Sequence, residues 1–359
     1  MKVSRWCSTT VLFAICAAAI AQPPPLEPNR KKKKNTDKEP VTQTLPVLKD
    51  PPGAVVAETS KLVFHVSPLS AKGLLTPQTH DALNALMKMN RGAQIVKLRA
   101  FVAGTGDIRR VQTIVSEVFT DKKQPLPALS TVQAGALPME GAQVVMESIS
   151  VDKRPAHTHG LAFFSAEQGA DASAAIVRLE SAAKEVGISG SAMLRVTCFL
   201  SSIDDLQAAR EAAARAFPAA AANFIQTLRG AGESVTTCEG VADRPQAGDP
   251  ITLTQNAALL NTPKLIFTGT QMAFRDQDAD LRLAFQRLQR ALEPLGASYK
   301  DVVFADFYPL TKRVEDKAHA IGMEFLPRDS HIPGTSLLVE GLPSLDASVA
   351  IELVAALAN

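Results

Sequence analysis

A strand–helix–strand–helix–strand order recurs three times at a spacing of about one hundred residues, and this repeat restricts the possible folds more than any other feature of the chain. The third copy is the plainest. Leu265-Ile266-Phe267 is β-branched and aromatic enough for a strand, and residues 277–295 follow with Leu281, Phe285, Leu288, Leu292 and Leu295 at steps of three and four. That spacing makes one apolar helical face, closed by Gly296 at the C′ position. Asp301 to Phe307 then reads as a second strand, and Val314, Ala318, Ile321 and Phe325 mark a second helix. In the second copy the order is Leu161 to Phe164, a helix over 172–186 stopped by Gly187, Met193 to Leu200, and an Ala-rich helix over 204–217. In the first it is Leu62 to Val66, a helix over 78–90, Val96 to Val102, and a helix carrying Val111, Ile114, Val115 and Val118.

An aromatic spacing fixes the register. Phe101 and Phe119, Phe199 and Phe217, and Phe307 and Phe325 are each 18 residues apart, bracketing the second strand and second helix of each copy. Each copy then ends in a strand with a glutamate: Glu147, Glu239 and Glu352. Three matches in register argue for triplication. The expected partition is 55–154, 155–246 and 247–359.

The residues before 55 belong to no copy. Lys2 and Arg5 precede an apolar stretch from Val11 to Ile20, and Ala19-Ile20-Ala21 offers a cleavage site, so 1–21 reads as a secretory signal. A lipoprotein signal on Cys16 is disfavoured because Phe13-Ala14-Ile15 lacks the usual small residue. Residues 22–54, with Pro23-Pro24-Pro25 and the basic block Arg30 to Lys34, form a solvated linker. The net charge of +2 therefore divides into +2 on the leader, +3 on the linker and −3 on the body. A mildly acidic body with 5% aromatics has neither the electrostatic footprint nor the stacking platforms of a nucleic-acid binder. No later segment reaches the apolar length of a membrane span. The expectation is an exported protein, periplasmic or secreted, without a transmembrane segment or a cofactor. After cleavage two cysteines remain, Cys198 and Cys238, and the sequence leaves open whether they form a disulfide or stay as buried thiols.

The repeat unit resembles the Rid family of reactive-intermediate (enamine/imine) deaminases, also called YjgF-like and in older usage L-PSP endoribonucleases. Leu265-Ile266-Phe267-Thr268-Gly269-Thr270-Gln271 is similar to the family's first strand and its Thr-Ser-Gly-Gln turn. Leu288 to Tyr308 is similar to its helix, glycine and Val-rich strand, and Phe199 to Leu206 to its Phe-Val-x-Asp-Leu-x-Asp-Phe segment. Pro127 to Val132, Leu137-Pro138 and Gly341-Leu342-Pro343 look like the loop and strand before its final hairpin. The resemblance implies an α+β, chorismate-mutase-like fold. It also implies that three copies in one chain replace the family's usual homotrimer by an intrachain pseudo-trimer, here expected to be a monomer with an internal pseudo-threefold. Ligand clefts would lie between neighbouring copies, with Thr268, Gly269, Thr270 and Tyr308 as candidate ligand-binding residues.

The family's chemistry needs an Arg to clamp the substrate carboxylate and a carboxylate to help water attack the C=N carbon. Aligned on the Leu-Pro, the Arg position falls at Leu129 and Gly334, and the segment Asn223-Phe224-Ile225-Gln226 has no Arg either. Of the family's final Glu-x-Glu, the first is replaced by Val145, Thr237 and Ala350, and the second is kept as Glu147, Glu239 and Glu352, the candidate catalytic residues. Arg275 and Arg328 are the candidates to replace the lost Arg. Elsewhere, His157 and His159 lie two apart, a spacing open to a metal pair but without a visible third ligand, so a solvated linker pair and no metal is expected. His65, His80, His319 and His331 are isolated, and Ser130, Ser165 and Ser330 lack the context of a nucleophile motif. Three functions follow as expectations: hydrolysis of small imines or enamines, binding of a small carboxylate without catalysis, or a structural role.

Overall fold

The central strands carry large apolar residues toward both faces, with a few charged and polar residues among the inward ones, so those strands must be covered on both faces. In the computed structural model, which describes residues 47–104, 106–227, 235–327 and 331–357, that is what occurs. The expected leader and most of the linker lie outside the described residues.

In chain order the strands and helices are β1 (Ala54–Glu58), β2 (Leu62–Val66), α1 (Leu75–Met89), β3 (Gln94–Val102), α2 (Arg109–Asp121), β4 (Ala128–Gln133) and β5 (Val144–Val151). Next come β6 (Leu161–Gly169), α3 (Ala172–Glu185), β7 (Met193–Leu200), α4 (Leu206–Ala216), β8 (Ala221–Gln226) and β9 (Thr236–Asp243). The last group is β10 (Ile251–Leu253), β11 (Ala257–Leu260), β12 (Lys264–Thr268), β13 (Gln271–Phe274), α5 (Asp278–Leu292), β14 (Val302–Pro309), α6 (Lys312–Phe325), β15 (Gly334–Ser336) and β16 (Ala347–Leu357). The fold is thus mixed α+β, with three sheets and six α-helices among the described residues.

The helix ends have local causes. Asp171 caps α3 by accepting from the Ala174 amide at 2.8 Å, and Thr311 caps α6 by accepting from Val314 at 3.3 Å. Gly187 and Gly296, both left-handed, end the helices where the spacing predicts.

The first sheet is ordered β2-β5-β3-β4, the second β10-β11-β6-β9-β7-β8, and the third β1-β12-β16-β14-β15 with β13 on β16. In each, a central strand (β3, β7 or β14) pairs parallel with the strand after the second helix and antiparallel with the final strand. The partition by sheet differs from the partition by sequence at two places. β1 lies at the start of the first copy but pairs antiparallel with β12 of the third sheet. β10 and β11 lie in the third copy but extend the second sheet from β6.

Each sheet packs one face on its own helices, giving three separate cores around Leu83 and Ile114, Leu179 and Ala213, and Leu288 and Ile321. The opposite faces of all three sheets meet each other in two shared clusters. One joins Phe64, Phe163, Phe267 and Phe304, the other Phe101, Phe199 and Tyr308.

This second cluster corrects the aromatic register. Phe101 and Phe199 face the shared centre with ring centroids 5.9 Å apart. Phe307 faces the other way, onto Phe285 and His319 of the helix layer. The residue matching Phe101 in the third sheet is Tyr308: Phe101 pairs with Val145, Phe199 with Thr237 and Tyr308 with Ala350. Because successive strand residues face opposite sides, a one-residue slip moves the side chain to the other face.

Cys198 and Cys238 are directly paired across β7 and β9 and joined as a disulfide, fully buried in the second sheet's helix-side core.

Candidate functional site

Between the two shared apolar clusters lies a polar layer, built from matching positions of the three sheets. Arg99, Thr197 and Asp306 stand on the central strands and pair in register with Glu147, Glu239 and Glu352 on the final strands. Ser130, Asn223 and Thr335 stand beside them on the parallel-paired strands. The hydrogen bonds run in a ring: Ser130 donates to Glu352, Asn223 to Glu147 at 2.7 Å and Thr335 to Glu239 at 2.6 Å. Each glutamate is therefore held by a strand from a different sheet.

Cations complete the layer. Arg99 donates to Glu147 from Nε and Nη2 at 2.9 and 2.7 Å, and from Nη2 to Glu239 as well. Lys97 reaches Glu352 at 2.5 Å, Ser130 Oγ at 2.6 Å and the Thr268 carbonyl at 2.5 Å. Arg195 lies 3.3 Å from Glu147 and 3.4 Å from Glu239. Tyr308 donates to Glu352 at 2.8 Å and accepts from Arg99 at 3.2 Å.

Burial alone would push Glu147 and Glu352 up. The neighbouring cations, Arg99 and Arg195 for Glu147 and Lys97 and Arg99 for Glu352, outweigh it and hold both at about 2. Asp306 goes the other way. Burial, then Glu239 and Glu352, push its carboxyl well above the ordinary range, and Arg99 at 3.6 Å does not offset them. Around it, the side chains of Glu147, Glu239 and Glu352 stand against those of Lys97, Arg99 and Arg195.

The three candidate catalytic glutamates are thus brought together, but in the interior. Glu147 is 1%, Glu239 2% and Glu352 6% exposed, and the adjoining cavity is only about 40 Å³. That is room for a water, and Arg195 Nε and Asp306 Oδ1, both without a partner among the described residues, line or border it. No substrate fits there.

Of the candidate ligand-binding residues, Tyr308 sits in this same layer. Thr268 is buried, accepting from Lys97 through its carbonyl and from the Leu353 amide through its hydroxyl at 2.8 Å. Gly269 and Thr270 close the junction between the third and first sheets by backbone contact. Gly269 donates to Gly53 O at 2.9 Å, Thr270 donates to Leu129 O at 3.2 Å, and a Cβ on Gly269 would lie 2.8 Å from that same oxygen.

The junction between the second and third sheets is open. A cleft of about 1080 Å³ is walled by α6 and β15 on one side and by Ser165 and the β10–β11 turn, Gln255 and Asn256, on the other. Phe307, Met323, Leu326 and Ile332 give it an apolar body. His319 stands at its rim, edge-on to Phe307 at 4.9 Å, and partial burial lowers its pKa against the pull of Glu315. Ser165 Oγ accepts from the Gly334 amide at 3.1 Å.

Gly334 is the position aligned with the family's Arg, and a Cβ there would collide with the Ala305 carbonyl oxygen, so no side chain can occupy it. β4 and β8 carry no Arg either. Arg275 does not line the cleft; its amide donates to Asp346 O at 2.7 Å. Arg328 and Ser330 lie outside the described residues.

His157 is not a solvated linker residue. It is buried, with Nδ1 3.0 Å from Asp243 and Nε2 2.5 Å from the Leu62 carbonyl, tying the linker to the first and second sheets. No group of three potential metal ligands occurs among the described residues. Sequence inspection passed over Lys97, Arg99, Arg195 and Asp306, whose signal was a charge within an otherwise apolar strand, as in Lys97-Leu98-Arg99 and Ala305-Asp306-Phe307.

No family model matches the chain, and no curated protein does. Similar solved structures include a member of the YjgF family from Mycobacterium tuberculosis, 24% identical, covering 26% of this chain and 79% of that one with a TM-score of 0.24. A YjgF family member from Neisseria meningitidis is 15% identical, covering 29% of this chain and 89% of that one, TM-score 0.23. A chorismatase is 11% identical over 83% of this chain and 99% of its own, TM-score 0.27.

Proposed function

We propose that the chain is an exported Rid-like protein in which three tandem units close as an intrachain pseudo-trimer, and that it binds a small molecule in the cleft between the second and third sheets without hydrolysing imines. The observation that carries this is the separation of the two sites. The carboxylates that would activate water are locked in a buried ionic layer, while the open cleft has neither an Arg at the family's position nor room for one at Gly334. The ring of bonds from Ser130, Asn223 and Thr335 supports closure within one chain, because each copy completes the next. The leader-like segment and the Cys198–Cys238 disulfide support a working place outside the reducing cytosol.

The test is a thermal-shift screen of small molecules on the whole chain and on Ala320→Trp, which fills the cleft from α6. A ligand must raise stability by mass action. Compounds that stabilise the parent and not Ala320→Trp support the proposal; none that do, or equal shifts in both, contradict it.

A further inference from the structure

From the edge of β15 we infer that the cleft takes an uncharged ligand, an apolar ring bearing a carboxamide-like donor and acceptor, rather than a carboxylate; this rests on the binding function proposed above. β15 is the last strand of the third sheet, so one side of its backbone has no neighbour in the sheet. Ala305 N bonds to Pro333 O at 3.2 Å and Leu337 N to Phe307 O at 3.0 Å, so residues 333 and 337 face β14. Strand alternation then turns Gly334 and Ser336 outward, and both line the cleft. Gly334 N is taken by Ser165 Oγ. β15 pairs with β14 alone, so no strand covers the outward Gly334 O or the outward N–H and C=O of Ser336. At the closed junction the equivalent carbonyl, Leu129 O, accepts from Thr270 N.

The unpaired edge offers a carbonyl acceptor beside an amide donor. A carboxamide or lactam matches both: its N–H donates to a carbonyl and its C=O accepts from Ser336 N. A carboxylate can use only the N–H and would set its charge against carbonyl oxygens. Among the described residues no Lys or Arg lines the cleft, and Glu324 is already held by Arg282 at 2.7 and 2.9 Å. Glu315, which accepts from Ser336 Oγ at 2.6 Å, adds a further negative charge next to the edge. The apolar side chains beside it, with Phe307 and Met323, suit a ring.

The experiment compares nicotinamide and benzamide with nicotinate and benzoate, by thermal shift and calorimetry, on the whole chain, on Ser336→Ala and on Ser336→Pro. Both variants lose the hydroxyl, and only the proline loses the N–H, which an edge strand tolerates. The expected result is that the carboxamides bind the parent and Ser336→Ala and bind Ser336→Pro about tenfold more weakly, the loss of one hydrogen bond. If Ser336→Pro does not fold, hydrogen exchange of the Ser336 amide in the parent replaces it: slowing by nicotinamide supports the inference, and no slowing contradicts it. Carboxylates binding as well as carboxamides, or Ser336→Pro binding like Ser336→Ala, would overturn the inference while leaving a small-molecule cleft intact. If no compound of any class binds, the cleft function falls with it.

Discussion

Lys97 on β3 and Glu352 on β16, 255 residues apart in sequence, meet at 2.5 Å in the centre of the molecule, and both are almost fully buried. This pair joins the first sheet to the third, so it closes the chain on itself. Its energetics are not those of a surface ion pair. Burial lowers the Lys97 pKa against the pull of Glu352, which means each partner is costly without the other. Lys97→Met or Glu352→Gln alone should destabilise by roughly 3–5 kcal/mol in urea unfolding, and the double variant by clearly less than the sum. Additive losses would show that the pair does not couple.

The same layer sets an acid limit. Glu147 and Glu352 have folded pKa values of about 2 against an ordinary 4.5, so their contribution is fully present above pH 4.5 and is lost as pH falls towards 2. Asp306 has the opposite sign: its raised pKa favours folding below its ordinary 3.8, and that contribution disappears as pH rises towards the folded value. Asp306→Asn should therefore be neutral or stabilising at pH 7, while Glu147→Gln destabilises strongly. Unfolding midpoints from pH 2 to 7 check both signs.

The register of the centre is testable through its aromatic pair. Phe101 and Phe199 should show a coupling of about 0.5–1.5 kcal/mol in a double-mutant cycle to Ala. Phe199 and Phe307 should show none, since Phe307 packs among the helices of the third sheet. Coupling to Phe307 instead would restore the 18-residue spacing as the true register.

The Cys198–Cys238 disulfide closes a separation of 40 residues. Replacing both cysteines by Ala should cost about 2–4 kcal/mol, read as a lower unfolding midpoint without change of fold. An unchanged midpoint would mean that the bond contributes nothing.

The helices and most strands were legible because each rests on local periodicity: Leu281, Phe285, Leu288 and Leu292 write α5 directly, and Gly296 stops it. Strand faces were less so. An 18-residue count back from Phe325 finds Phe307, yet its neighbour Tyr308 is the one that faces the centre, and the two point to opposite sides of β14. The polar layer was hidden for a different reason. Lys97, Arg99 and Asp306 read as charges interrupting apolar strands, and only closure of the three sheets brings their partners within reach. The edge exchange by β1, β10 and β11 is equally non-local, since an antiparallel strand can join any free edge. The final-strand glutamates were found by alignment, but their burial follows from the ring and not from their own strand.

The buried glutamates are assigned to holding the centre together and not to activating water. An imine-hydrolysis assay on the whole chain, with 2-iminobutyrate generated in situ, tests it most directly. The expected result is no acceleration over buffer, with Glu352→Gln unaltered in rate and lowered only in stability. Acceleration over buffer that disappears in a still-folded Glu352→Gln would contradict it.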